Sequence, residues 1–194
     1  MNVLWLFYPE KTMCNSFNKK FLDEAAKKYE AQPLVNFVNS DASYMELAID
    51  EAIKGMEKNE GGPFGCVIIK EGKVVGKGNN RVTSSNDPTA HAEIVAIREA
   101  CTNLNNFQLT GCVLYTSCEP CPMCLGAIYW ARPDKVFYGC DKNDAARAGF
   151  DDHFIYEQLD APIQDRKIPF VQIIPEKAIK SFLLWEEKEN KIKY

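Results

Sequence analysis

The sequence predicts an α/β fold, a mixed five-stranded sheet sandwiched between helices. Residues 64–69 run almost wholly apolar and β-branched, as a central strand covered on both faces does. A turn signal, Glu71-Gly72, follows at once, and after this first hairpin strands and helices alternate. With 194 residues and 46% hydrophobic content, the chain can bury the core of one such domain.

The elements follow in order. Residues 1–42 form an N-terminal extension: a short apolar start, then a predicted helix over residues 17–29 with Phe17, Phe21, Leu22, Ala25 and Tyr29 on one side, interrupted soon after by Pro33. It reads as a packing appendage, with a regulatory or partner-binding role as the alternative. Residues 43–194 make the main domain. Ser43 and Glu46 have capping-box spacing, and Met45, Ala48, Ile49, Ala52, Ile53 and Met56 recur at helical intervals until Gly61-Gly62-Pro63 breaks the pattern. The hairpin's second strand ends near Asn80. Asp87-Pro88 is a helix-start signal, and Ile94, Ile97, Cys101 and Leu104 supply the stripe of that helix. A strand is expected over 112–116, a helix over 122–130 and a strand over 136–139. A fifth strand over 170–174 and a helix over 176–187 complete the order.

Charge and cysteine content narrow the chemistry. A net charge of −4 and a pI near 5.3 provide no basic field for a polyanion, so nucleic acid is a disfavoured partner. Eight cysteines in a chain of full globular composition point to reduced thiols and a cytoplasmic location rather than a disulfide scaffold. The apolar start at residues 3–8 lacks preceding basic residues and runs into Pro9, which fits neither a signal peptide nor a membrane span.

Two helix starts hold the informative residues, His91-Ala92-Glu93 and Pro120-Cys121-Pro122-Met123-Cys124. Cysteines three residues apart on a first helical turn place both sulfurs on one side, within reach of one tetrahedral ion. A helix N-terminus favours the thiolates that zinc needs. His91 supplies a third ligand, which leaves one coordination position for water, and zinc lowers the pKa of such a water to about 7. Glu93 can take a proton from that water and return one to a leaving group. Its two-residue spacing from His91 would point the side chains apart on a regular helix, so an irregular helix start is required. Cys118 could instead close a purely structural Cys₃His site. The remaining cysteines read as small apolar residues or surface thiols.

The H-x-E and P-C-x-x-C pair is an established signature of zinc-dependent deaminases, a known pattern rather than one derived from physics. Together with Asn79-Asn80, residues 83–93 and residues 116–127, it makes the chain resemble the cytidine-deaminase-like superfamily. Gly61-Gly62-Pro63-Phe64-Gly65, Ala148-Gly149-Phe150-Asp151-Asp152 and an aromatic end at Tyr194 make it similar to bacterial guanine deaminases in particular. The resemblance covers residues 43–194. It implies a three-layer α/β/α sandwich and a homodimer whose C-terminal segment crosses to the partner's site. It further implies one Zn²⁺ per chain on His91, Cys121 and Cys124, with Glu93 as proton shuttle. Asn80 would bond a purine as both donor and acceptor, Phe64 and Trp130 would line the pocket, and Asp152 and Tyr194 would arrive with the crossing tail. The implied reaction is hydrolysis of guanine to xanthine and ammonia by a zinc-activated water. The rivals are deamination of another substrate (guanosine, another amino-azine or adenosine in transfer RNA) and a non-enzymatic, zinc-stabilised interaction module.

Overall fold

Helix α1 (Asp41–Glu57) starts on a capping box in which Ser40 Oγ accepts from the Ser43 amide and Ser43 Oγ accepts from the Ser40 amide. The box expected at Ser43 and Glu46 thus sits one turn earlier, because Ser40 carries the extended backbone. The computed structural model describes residues 40–194. The expected helix over residues 17–29 and the rest of the sequence before residue 40 lie outside the described residues.

Strands β1 (Gly65–Lys70) and β2 (Lys73–Asn79) form an antiparallel hairpin. Its two-residue turn has positive φ at both Glu71 (49°) and Gly72 (75°), the handedness that short hairpins require. A one-turn helix α2 (Val82–Ser85) leads to helix α3 (Ala92–Leu104). Asp87 does not cap α3 as expected. Its carboxylate accepts from the Thr89 amide (2.8 Å) and hydroxyl (2.7 Å), closing a turn that lets the helix begin at His91. Strand β3 (Cys112–Cys118) pairs antiparallel with β1, and strand β4 (Lys135–Cys140) pairs parallel with β3 after the crossover helix α4 (Pro122–Ala131). The sheet is therefore mixed, in the order β2-β1-β3-β4.

Alternation along β1 and β3 splits the core into two layers. Cys66, Ile68, Cys112 and Leu114 pack with Ala92, Ala96, Ala100, Ile128 and Ala131 on the α3 and α4 side. Val67, Ile69 and Tyr115 pack with Tyr44 and Ala48 of α1 on the other. The result is the expected three-layer α/β/α sandwich.

Small residues set how close the layers come. A Cβ on Gly76 or Gly78 would meet the Ala96 or Ala92 carbonyl oxygen at 2.5 Å, and one on Gly65 would meet the Ala48 carbonyl oxygen at 2.1 Å. The deepest residues of α1 and α3 are accordingly alanines. Ile49, Ile53 and Met56, expected on the buried face of α1, are 41–46% exposed because the alanine face takes the close contact.

Helices α5 (Lys142–Arg147) and α6 (His153–Asp160) follow β4, and helices α7 (Pro175–Ala178) and α8 (Lys180–Glu187) come near the end of the chain. The expected fifth strand does not form: residues 170–174 pair with no strand among the described residues, and the sheet has four strands. Within one chain this apolar run finds no cover, and every residue from 167 to 190 is exposed.

Candidate active site

The expected irregular helix start is visible in the backbone. His91 is the N-cap of α3, with extended φ and ψ of −70° and 156°, while Glu93 lies within the first turn. The bend between them aims both side chains at one point, a convergence that a two-residue spacing inside a helix forbids. Cys121 repeats the device as N-cap of α4, with φ −63° and ψ 167°, followed by Pro122 at the first helical position. Two helix N-termini, one from each of two neighbouring helices, therefore meet at the cluster.

His91 Nδ1 lies 3.5 Å from Cys121 Sγ and 3.5 Å from Cys124 Sγ. Zinc–sulfur and zinc–nitrogen bonds of about 2.3 and 2.05 Å at a tetrahedral angle place those atoms about 3.5 Å apart, so the donors fit the ion in type and spacing. These three are the metal-holding group found among the described residues. Cys118 is not part of it: its thiol donates to the Asp141 carbonyl oxygen at 3.5 Å. The Cys₃His arrangement is thereby disfavoured, and the set keeps a position open for chemistry.

The three side chains share protons with one another. Without an ion, a hydrogen bond from Cys124 and the neighbouring His91 hold the Cys121 thiol well below its usual range, while Cys124, as the donor, is pushed up. The hydrogen bond to Cys121 raises His91. Glu93 is buried, and that burial pushes its carboxyl above the ordinary value. Its Oε1 accepts from Thr116 Oγ1 at 3.2 Å, and its Oε2 accepts from Cys124 Sγ at 3.4 Å.

A cavity of about 370 Å³ opens beside this cluster, lined by Phe64, Asn80, His91, Glu93, Cys121 and Asp152 among others. Asn80 Oδ1 accepts from the Gly62 and Val82 amides, both at 3.2 Å. Its oxygen is thus taken up by the backbone, whereas the expectation had Asn80 offering a purine both a donor and an acceptor. Asp152 makes no side-chain cap bond to α6, while its neighbour Asp151 accepts from the His153 amide at 2.9 Å. Partial burial, and then the Cys121 thiolate, raise the Asp152 carboxyl. Asp152 lines the cavity of its own chain. His153 is exposed and lies 3.4 Å from Glu157, away from the metal ligands.

Two expected pocket residues are elsewhere. Trp130 is 64% exposed and Tyr194 is 72% exposed; their rings meet each other at 5.8 Å, and neither lines the cavity of this chain. Phe150, which sequence reasoning gave no role, stands edge-on to Phe64 at 5.0 Å and lines the cavity, as do Phe154 and Lys142. No periodicity marks these three. Thr116 was legible in principle, as a hydroxyl on the strand face that otherwise carries Cys112, Leu114 and Cys118. A larger cleft of about 500 Å³, lined by Glu51, Lys54, Lys77 and Glu99 among others, contains none of the cluster's residues, and charges along it pair with one another.

A mixed sheet carrying a His-Cys-Cys cluster beside a buried glutamate defines the class, and the chain belongs to the cytidine and deoxycytidylate deaminase family, whose zinc-binding region matches residues 38–140. Zinc is the cofactor of this site. The chain is 53% identical over 152 residues to the guanine deaminase of Bacillus subtilis, covering 78% of this chain and 97% of that one. The crystal structure of the B. subtilis enzyme superposes with a TM-score of 0.78 at 52% identity, over 80% of this chain and 99% of that one. A tRNA-specific adenosine deaminase of Aquifex aeolicus is 38% identical over 126 residues, 64% of this chain and 80% of that one. A guanine deaminase structure from Nitrosomonas europaea has a TM-score of 0.56 at 26% identity, over 63% of this chain and 78% of that one.

Proposed function

We propose that this chain hydrolyses guanine to xanthine and ammonia. The observation that carries the proposal is the polarity of the cavity: beside the metal ligands it places the amide of Asn80, whose oxygen is taken up by backbone N–H groups, in a lining that also holds the Asp152 carboxylate, with Glu119 and Asp151 further acidic groups there. Guanine presents acceptors at O6 and N7 and donors at N1–H and the 2-amine, which such a pair recognises. The 53% identity to B. subtilis guanine deaminase supports the same substrate.

His91, Cys121 and Cys124 would hold the zinc ion, which supplies Lewis acidity and makes a water nucleophilic near neutral pH. Glu93 would take a proton from the attacking water and pass it to ring N3 as oxygen adds at C2; it would then take the remaining proton of the C2 hydroxyl and hand it to the 2-amino group, so that the C2–N bond breaks, ammonia leaves and the C2 carbonyl of xanthine forms. Its burial keeps the carboxyl raised, which suits a group that must both accept and donate. Phe64 and Phe150 form an apolar wall for the flat base and exclude water. The test is ammonia release from zinc-loaded protein offered guanine, guanosine, adenine, cytosine, cytidine and transfer RNA in parallel. Guanine preference, lowered about 10²–10⁴-fold by Glu93→Gln, is expected. Turnover of another substrate alone would overturn the choice of base, and full activity in Glu93→Gln would remove Glu93 from the reaction.

The tail supports a homodimer with exchanged C-terminal segments. Ile168, Phe170, Val171, Ile173 and Ile174 are 55–78% exposed, and β4 has no neighbour on its outer edge among the described residues. A partner's residues 170–174 on that edge would supply the missing fifth strand and cover both surfaces. Tyr194 would then enter the partner's cavity. Mixing a Glu93→Gln chain with a Tyr194→Ala chain tests this at substrate well below KM: exchange predicts that verified heterodimers turn over faster per intact Glu93 than the Tyr194→Ala parent, and an unchanged rate per intact Glu93 counts against it.

Seven free thiols among the described residues suit a reducing compartment, so we place the protein in the cytoplasm and its reaction in purine breakdown. Among the described residues no helix is long and apolar enough to cross a membrane. The family match from residue 38 suits a deaminase domain over residues 43–194 preceded by a separate extension.

A further inference from the structure

We infer that Thr116 is a positioning residue that divides the labour between the two oxygens of Glu93. The inference rests on the deamination proposed above and concerns how its proton shuttle is aimed.

Thr116 lies on β3, 1% exposed, with its hydroxyl 3.2 Å from Glu93 Oε1. The other side-chain contact to the carboxylate is the Cys124 thiol, 3.4 Å from Oε2. These contacts behave differently once the site is loaded. Zinc takes cysteine as a thiolate, so Cys124 then has no proton to donate. Thr116 is the side-chain donor that survives metal binding, and it holds only Oε1. Oε2, on the Cys124 side, would then be the oxygen left to carry protons.

The surroundings make this bond consequential. Glu93 is 6% exposed, and the neighbouring Cys66, on the strand paired with β3, is a fully buried protonated thiol that offers little hydrogen bonding. A buried carboxylate that loses a donor rotates or draws in water. Either outcome misaims a proton transfer that depends on hydrogen-bond geometry. The β3 register fixes Thr116 opposite Cys66, with Tyr138 on its other side, so the hydroxyl is set by the sheet.

The test compares Thr116→Val, which keeps the shape and deletes the hydroxyl, with Thr116→Ser, which keeps the hydroxyl. In the zinc-loaded full chain, on whichever base the wild type turns over best, Thr116→Val is expected to lower kcat about 10- to 100-fold, the usual weight of a hydrogen bond to a charged group. KM should stay within about threefold and zinc stoichiometry should be unchanged, because the bond touches neither substrate nor ion. Thr116→Ser should recover kcat to within a few-fold of wild type. Wild-type kcat in Thr116→Val would overturn the inference. So would a loss expressed in KM or zinc content, or a Thr116→Ser variant as impaired as Thr116→Val, each of which marks a packing role. Thermal unfolding of both variants identifies a fold defect, in which case Thr116→Ser alone decides. Failure of the wild type on guanine bears on the substrate proposal, since the Thr116 comparison is a ratio within one substrate.

Discussion

The stretch from α3 to α4 and the last thirty or so residues are both rich in apolar side chains, yet they end in opposite situations. Ala92, Ala96, Ala100, Leu114 and Ile128 are buried around the metal ligands, whereas Phe170, Val171, Ile173, Phe182 and Leu184 are more than half exposed. The first region completes its contacts within one chain, and its chemistry is assembled there. The second leaves its apolar surface uncovered among the described residues, and the proposed exchange of segments rests on that surface.

The largest effect should come from the ligands. Cys124→Ala should bring zinc content and ammonia release down to background, and chelation followed by zinc addition should remove and restore activity in the wild type, as metal analysis alongside the assay will show. Next, the two regions should separate in unfolding. Ile68→Ala, on β1 at zero exposure, is expected to cost about 2–5 kcal/mol in a denaturant titration. Val171→Asp should instead shift the sedimentation profile toward monomer, with little change in the unfolding midpoint of the monomer. If Val171→Asp cost as much as Ile68→Ala in a dilute monomer, the contrast between the regions would fail. A smaller effect is expected from Tyr194→Ala, a rise in KM of a few-fold with zinc content unchanged. The smallest is Ser40→Ala, about 0.5–2 kcal/mol from the lost cap of α1, seen as a modest fall in Tm.

The same contrast explains what could be read from the sequence. The ligands were legible because H-x-E and P-C-x-x-C form a known signature, and Pro122 after Cys121 marks the start of α4; the start of α3 was less legible, since Asp87-Pro88 signalled it early. Which residues of α1 and α3 are deepest was not, since periodicity ranks Ile49 and Ile53 above Ala48 and Ala52, and only the glycines across the interface reverse that order. The strand expected over residues 170–174 shows the other boundary. An apolar, β-branched run records strand propensity, and is silent about whether a neighbouring strand receives it; among the described residues none does. The cavity wall was the least legible part: Phe150, Phe154 and Lys142 come together through the path of the chain after β4, which no local pattern encodes.

Redesign of this pocket has a natural direction. The helix carrying His91 and Glu93 rests on Gly76 and Gly78 with no space for a single methyl group, so substitutions behind it would shift the ion and the proton carrier together. The opposite wall, from Lys142 to Ile155, hangs from exposed turns and short helices and shares none of that tight seating. A mutant library confined to that wall, screened on unfamiliar aminated heterocycles, would vary the choice of base while leaving the reactive centre intact.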